Sequence, residues 1–175
     1  AVNAVKEIAA DIAKERKHAH KVALVLASPW HISHTKMVSV TKKEPFTITN
    51  SLINEIISGE ITKEQDDNLT LVESRIAHVK INGYGTLSPQ GKVADKLDLS
   101  LYVSLAPTSF LNKIEEAIQK SFSVKHISHH SFPFVALSTI QTIFHNDKDF
   151  IFIDIAGEIT DVAAVRDGAV MGTAS

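Results

Sequence analysis

The segment FIFIDIAGEITDVAAVRDGAV, residues 150–170, constrains the fold more than any other stretch of the chain. Its apolar start, 150–155, predicts a buried strand carrying Asp154 near its end. A turn of small residues follows, then Thr160-Asp161, then apolar runs at 162–165 and 169–171. Between those runs stands Arg166-Asp167-Gly168, and Asp-Gly is a strong hairpin signal because both turn positions need positive φ. Backbone N–H groups in a tight turn can approach anionic oxygens, and an Asp at a strand end can hold Mg²⁺ through water. The same pattern also describes a plain strand, turn and hairpin without a ligand.

Upstream, apolar periodicity predicts alternating elements. Val5, Ile8 and Ile12 give a helical stripe over 2–17, and KVALVLAS at 21–28 reads as a strand buried on both faces, stopped by Pro29. Residues 35–41 alternate as a half-buried strand. Thr47 or Thr49 can cap a helix whose face is Leu52, Ile53, Ile56 and Ile57, with Gly59 as its end. A long strand is predicted at 69–81, with a loop or hairpin at Asn82-Gly83. Another strand at 97–105 directs Leu97, Leu99, Leu101, Val103 and Leu105 to one side. One helix stripe covers one face of this strand–helix–strand–strand unit, leaving the other face or an edge open. Pro107 then opens a helix to about 121, with a strand at 123–127 and an apolar helix at 134–144.

Composition excludes several classes. An apolar content of 44% in 175 residues supports a packed core rather than disorder. Eighteen basic against twenty acidic residues give a net charge of −2, no support for general electrostatic binding of nucleic acid. Absent cysteine excludes disulfides and thiolate metal sites and fits a reducing compartment. No apolar run reaches membrane-span length. Basic residues concentrate in 1–43 and acidic ones in 44–75, which reads first as two solvated helix faces or, more sharply, as a polar contact between subunits or lobes.

The 150–170 segment resembles the second phosphate loop, D-I-G-G-G-T-T-D, of the actin-like ATPase superfamily that includes FtsA and the pilus-assembly protein PilM. The upstream order is similar too: a helix and strand of a first lobe, an inserted strand–helix–strand–strand (SHS2, or 1C-type) module, a return to the first lobe, then the second lobe. The resemblance implies an α/β fold with an α+β insertion, a partial actin-like (RNase H-like) architecture. Its parts would be 1–29, first-lobe helix and strand; 30–106, inserted module; 107–148, first-lobe continuation; and 149–175, start of the second lobe. It also implies a middle slice of a longer protein, with a first phosphate hairpin before Ala1 and an adenosine-binding segment after Ser175. Asp154, Gly157, Thr160 and Asp161 match the loop and would contact ATP, with Asp154 holding Mg²⁺ through water. No catalytic residue is implied. Protein or peptide partners, or self-association, would use the inserted module, in the cytoplasm or at the inner face of the membrane, in cell division or pilus assembly.

Three departures from the pattern lie in the loop. Ala156 replaces a glycine, Glu158 puts negative charge where phosphates would sit, and Ile159 replaces a threonine. At 131–136, SFPFVA stands where the superfamily often has E-P-x-A, so Phe132 occupies the place of an acid that assists hydrolytic water. Slow or absent hydrolysis follows, unless Phe132 is simply a packing residue. The alternatives are an active ATPase or phosphotransferase of the same superfold, or a histidine-rich metal protein. For the last, His31, His34, His126, His129 and His130 form two HISH patterns, and His18 and His20 stand two apart, without recognised ligand spacing. A Ser33–His34 hydrolase lacks a nucleophile elbow. Trp30 reads as filler of the joint before the inserted module, or as a partner hot spot.

Overall fold

The computed structural model describes residues 1–14, 19–64, 67–157 and 159–174. In chain order the elements are α1 Val2–Lys14, β1 Val22–Leu26, β2 Ile32–Thr47, α2 Asn50–Glu64, β3 Leu69–Ile81, β4 Tyr84–Gly85, β5 Val93–Pro107, α3 Thr108–Phe122, β6 Ile127–Ser131, α4 Phe132–Ile143, β7 Phe150–Ile155, β8 Thr160–Arg166 and β9 Ala169–Ala174. They form a parallel pair β1-β6, an antiparallel sheet β2-β5-β3-β4 and an antiparallel sheet β7-β8-β9.

Strand β5 is the centre of the molecule. Leu97 and Leu99 pack with Phe46, Ile48 and Ile53, while Leu101, Val103 and Leu105 pack with Ile57, Leu69 and Leu71. These leucines and valines therefore point to the α2 side, as their alternation predicts. Fully burying each such side chain contributes about 1.5–3 kcal/mol. Helix α2 starts where Thr49 Oγ1 accepts the Leu52 N–H at 3.1 Å, a side-chain cap. The β3–β4 turn uses Asn82 (φ 50°) and Gly83 (φ 88°), and Asn82 Oδ1 also accepts the N–H groups of Asp95 and Lys96. Asp167 (φ 51°) and Gly168 (φ 76°) make the β8–β9 turn in the same way.

Several expectations are corrected. Residues 97–106 of β5 are buried on both faces, because Tyr102 packs on Leu137, Val165 and Val170. The face opposite α2 is thus covered here by α4 and the β7-β8-β9 sheet, and what stays open is an edge. Strand β1 is not buried on both faces: Val25 is 39% exposed, since β6 is its only strand neighbour among the described residues. Strand β7 likewise exposes Ile151, Ile153 and Ile155, by 56–79%, while Phe150 packs inward.

Gly59 does not end α2. The helix runs on to Glu64 because Glu60 and Glu64 both reach Lys36 of β2, at 2.8 and 2.6 Å. The strand expected at 123–127 lies at Ile127–Ser131 instead. Ser123 takes a left-handed cap (φ 55°) and donates its N–H to Gln119 O, so the chain needs further residues before it pairs with β1. Strand β2 extends beyond 35–41 at both ends, with a register shift between Thr41 and Phe46.

Candidate functional site

Strands β7 and β8 place Asp154 opposite Asp161, so both carboxylates share the inner face of that sheet. Asp161 is buried, Asp154 half-buried and Thr160 exposed. The Ala156 N–H donates to Ile159 O at 3.0 Å and closes the turn between them. Gly157 stands exposed at this turn, its φ is not positive, and a Cβ there would meet nothing within 4 Å. The chain itself therefore does not require glycine at 157; only a group approaching the backbone would. Glu158 lies outside the described residues.

Like charges directly opposite across a strand pair repel. A divalent cation between Asp154 and Asp161 would relieve that repulsion, and carboxylate oxygens are the donors hydrated Mg²⁺ prefers. The donor set thus fits the ion implied by the resemblance.

Phe132 packs against Phe152 of β7, with ring centroids 5.9 Å apart. It is a contact between α4 and the hairpin sheet. An acid does reach this helix end, from another strand. A register shift between Leu71 and Glu73 in β3 turns Glu73 inward. Its Oε2 accepts the Ser131 N–H and hydroxyl at 3.2 and 3.0 Å, and the Tyr102 hydroxyl donates to Ser131 Oγ at 3.0 Å. Burial chiefly pushes the Tyr102 pKa up. Arg75 Nε lies 3.3 Å from Glu73 Oε1, and the Arg75 guanidinium covers the Phe134 ring at 4.8 Å. Sequence reasoning missed Glu73, which stands among the other polar residues of a mixed strand, Thr70, Ser74, Arg75, His78 and Lys80.

His31, read from the sequence only as part of a HISH pattern, is 6% exposed and lies beside Asp161. Burial lowers its pKa, against the opposing pull of the Ala27 carbonyl and the Asp161 carboxylate. Neither ring nitrogen makes a hydrogen bond of normal geometry. Ser33 bonds to Thr173 at 2.9 Å and His34 Nε2 lies 3.4 Å from Glu64, so the two side chains part and form no triad. His129 lies 2.8 Å from Glu115. His18 is outside the described residues, and among those described no three His, Asp or Glu side chains come together as a metal site. Trp30 stacks on Phe110 with centroids 4.4 Å apart yet remains 48% exposed. The segregated charges meet inside the fold, where Lys36 joins Glu60 and Glu64.

No protein-family model and no curated protein matches the sequence. Among solved structures, the PilM-PilN type IV pilus biogenesis complex matches with a TM-score of 0.65 at 15% identity, over 99% of this chain and 47% of that one. The fold is PilM-like. This chain spans about half the length of the PilM-like chain it matches. No described helix is long and apolar enough to cross a membrane.

Proposed function

We propose that the chain is a PilM-like scaffold of pilus assembly, which holds a cytoplasmic peptide of a protein partner. The observation that carries this reading is the fold likeness over 99% of the chain to a structure described as a complex. We read β2, α2, β3 and β5 as the inserted SHS2-type module of 30–106, between first-lobe parts at 1–29 and 107–148, with 149–175 opening a second lobe. The outer edge of β2 has no strand partner among the described residues, and main-chain hydrogen bonds on such an edge supply affinity for an extended peptide. The pilus branch is preferred to cell division because the solved neighbour belongs to pilus biogenesis.

ATP with Mg²⁺ is a structural ligand in this reading. Asp154, with Asp161, would hold the hydrated ion, and Gly157 and Thr160 would contact the phosphates. Hydrolysis is not part of the proposed role, because Phe132 packs on Phe152 and offers no proton acceptor. Fluorescence anisotropy with a labelled peptide from the cytoplasmic segment of a PilN-like partner tests the scaffold role. Saturable binding supports it, and an unchanged signal at saturating protein refutes it.

A further inference from the structure

The β3–β4 turn carries the one Asn-Gly step among the seven asparagines of the chain, Asn82-Gly83. Asparagine is a thermolabile residue, and glycine after it leaves the attacking nitrogen without a Cβ to shield it. In the reaction the Gly83 nitrogen loses its proton to solvent and attacks Asn82 Cγ. The new C–N bond forms, the Cγ–Nδ2 bond breaks, and ammonia leaves a cyclic succinimide. Water then adds to one of the two ring carbonyls and cleaves that C–N bond, giving aspartate or isoaspartate. Water is the only co-reactant, and Asn82 and Gly83 are both exposed to it.

The fold opposes the first step in two ways. With φ of 50° at Asn82 and 88° at Gly83 the turn is type I′, whose first central residue has ψ of about +30°. Ring closure needs the Gly83 nitrogen eclipsed with Asn82 Cβ, and that ψ holds the two nearly opposite. The side chain is fixed as well. Asn82 Oδ1 accepts the N–H groups of Asp95 at 3.0 Å and Lys96 at 2.9 Å, and the Asn82 N–H donates to Lys96 O at 2.9 Å. This clasp to β5 must open before the amide head and ψ can turn.

We propose that Asn82 is a deamidation site that the closed hairpin switches off, so that aspartate and isoaspartate at 82 record the time this end of the sheet spends open. The two products part structurally. Aspartate keeps both acceptor contacts and makes them charge-assisted. Isoaspartate routes the main chain through Cγ, adds one backbone atom and takes the turn out of register.

The experiment incubates the whole chain at neutral pH, native and in denaturing urea, and follows residues 81–92 by peptide mass mapping. Labelling with an isoaspartyl methyltransferase separates the two products. Hydrogen exchange of the Asp95 and Lys96 amides in the native protein measures opening of the clasp independently. The expected result is deamidation at Asn82 in urea, a rate at least about ten-fold lower in the native protein, and protected amides at 95 and 96. Equal rates in the two states would overturn the proposal, as would a low native rate with both amides exchanging freely, or an unfolded chain that forms no isoaspartate at 82.

Discussion

Ser131 donates both its backbone N–H and its hydroxyl to one carboxylate oxygen of Glu73, at 3.2 and 3.0 Å. The pair joins β3 to the last residue of β6, which is also the N-cap of α4, 58 positions away in sequence. A carboxylate at a helix N-terminus is favoured by the helix dipole, and here it also satisfies a donor that would otherwise be buried unpaired. Glu73 side-chain exposure is only 4%, so this contact is a latch inside the fold and not a surface ion pair.

Glu73→Ala is expected to destabilise the protein by about 2–4 kcal/mol, since it strips partners from Ser131 and Arg75 together. Glu73→Gln, which keeps an acceptor, should cost about half as much. Urea unfolding at pH 7 reads both values, and equal losses would show that the charge and the hydrogen bonds are not separable here.

Acid should weaken the β2–α2 contact. Hydrogen bonds from Lys36 hold the Glu60 and Glu64 carboxyls below their ordinary 4.5. For Lys36, burial opposes the charge, but the bonds to Glu60 and Glu64 outweigh it and raise its pKa. A depressed carboxyl pKa gives stability that is present above the unfolded value and lost as pH falls through the folded one. Stability is therefore expected to drop from about pH 4.5 downward. Lys36→Met should flatten that part of the profile, measured by thermal unfolding between pH 3 and 7.

Two glycines should respond in opposite directions. Gly59 lies within α2 and a Cβ there meets nothing within 4 Å, so Gly59→Ala is expected to stabilise by about 0.5–1 kcal/mol. Gly168 has φ +76° and its Cβ would fall 2.9 Å from Gln141 Nε2. Gly168→Ala should destabilise by about 1 kcal/mol or more. Melting temperatures of the two variants check this directly.

At the turn, stability and ligand approach should separate. Gly157→Ala is expected to change stability by no more than about 0.5 kcal/mol, since its Cβ would sit in open space. The same substitution should weaken ATP·Mg²⁺ binding in calorimetry, and Asp154→Ala should abolish it. Binding that survives Asp154→Ala would remove Asp154 from the nucleotide site, and no binding by the wild type would remove the nucleotide from the account.

Local signals were legible in the sequence. The leucine alternation of β5, the Thr49 cap, and the Asn82-Gly83 and Asp167-Gly168 turns depend on residues close in sequence. Cover was not legible: KVALVLAS read as buried on both faces and FIFIDI as a buried strand, but burial depends on neighbours, and one face of each strand lacks them. Gly59 failed as a stop because Lys36, from another element, anchors the next turn of the helix. Of the candidate site, Asp154, Gly157, Thr160 and Asp161 were read as one turn, and the hairpin register sets Asp154 opposite Asp161. The inward turn of Glu73 and the burial of His31 stayed hidden, since a strand irregularity aims the first and a neighbouring sheet buries the second.

The measurement closest to the central claim is binding of the PilN-like peptide to the wild-type chain and to Met37→Glu. Met37 lies in the β2 edge strand and is 63% exposed, so the change adds charge at the edge without opening the core. The account predicts saturable binding by the wild type, at least about ten-fold weaker binding by Met37→Glu, and a stability change within about 0.5 kcal/mol. Equal affinity of the two proteins for the peptide, at equal stability, would contradict it.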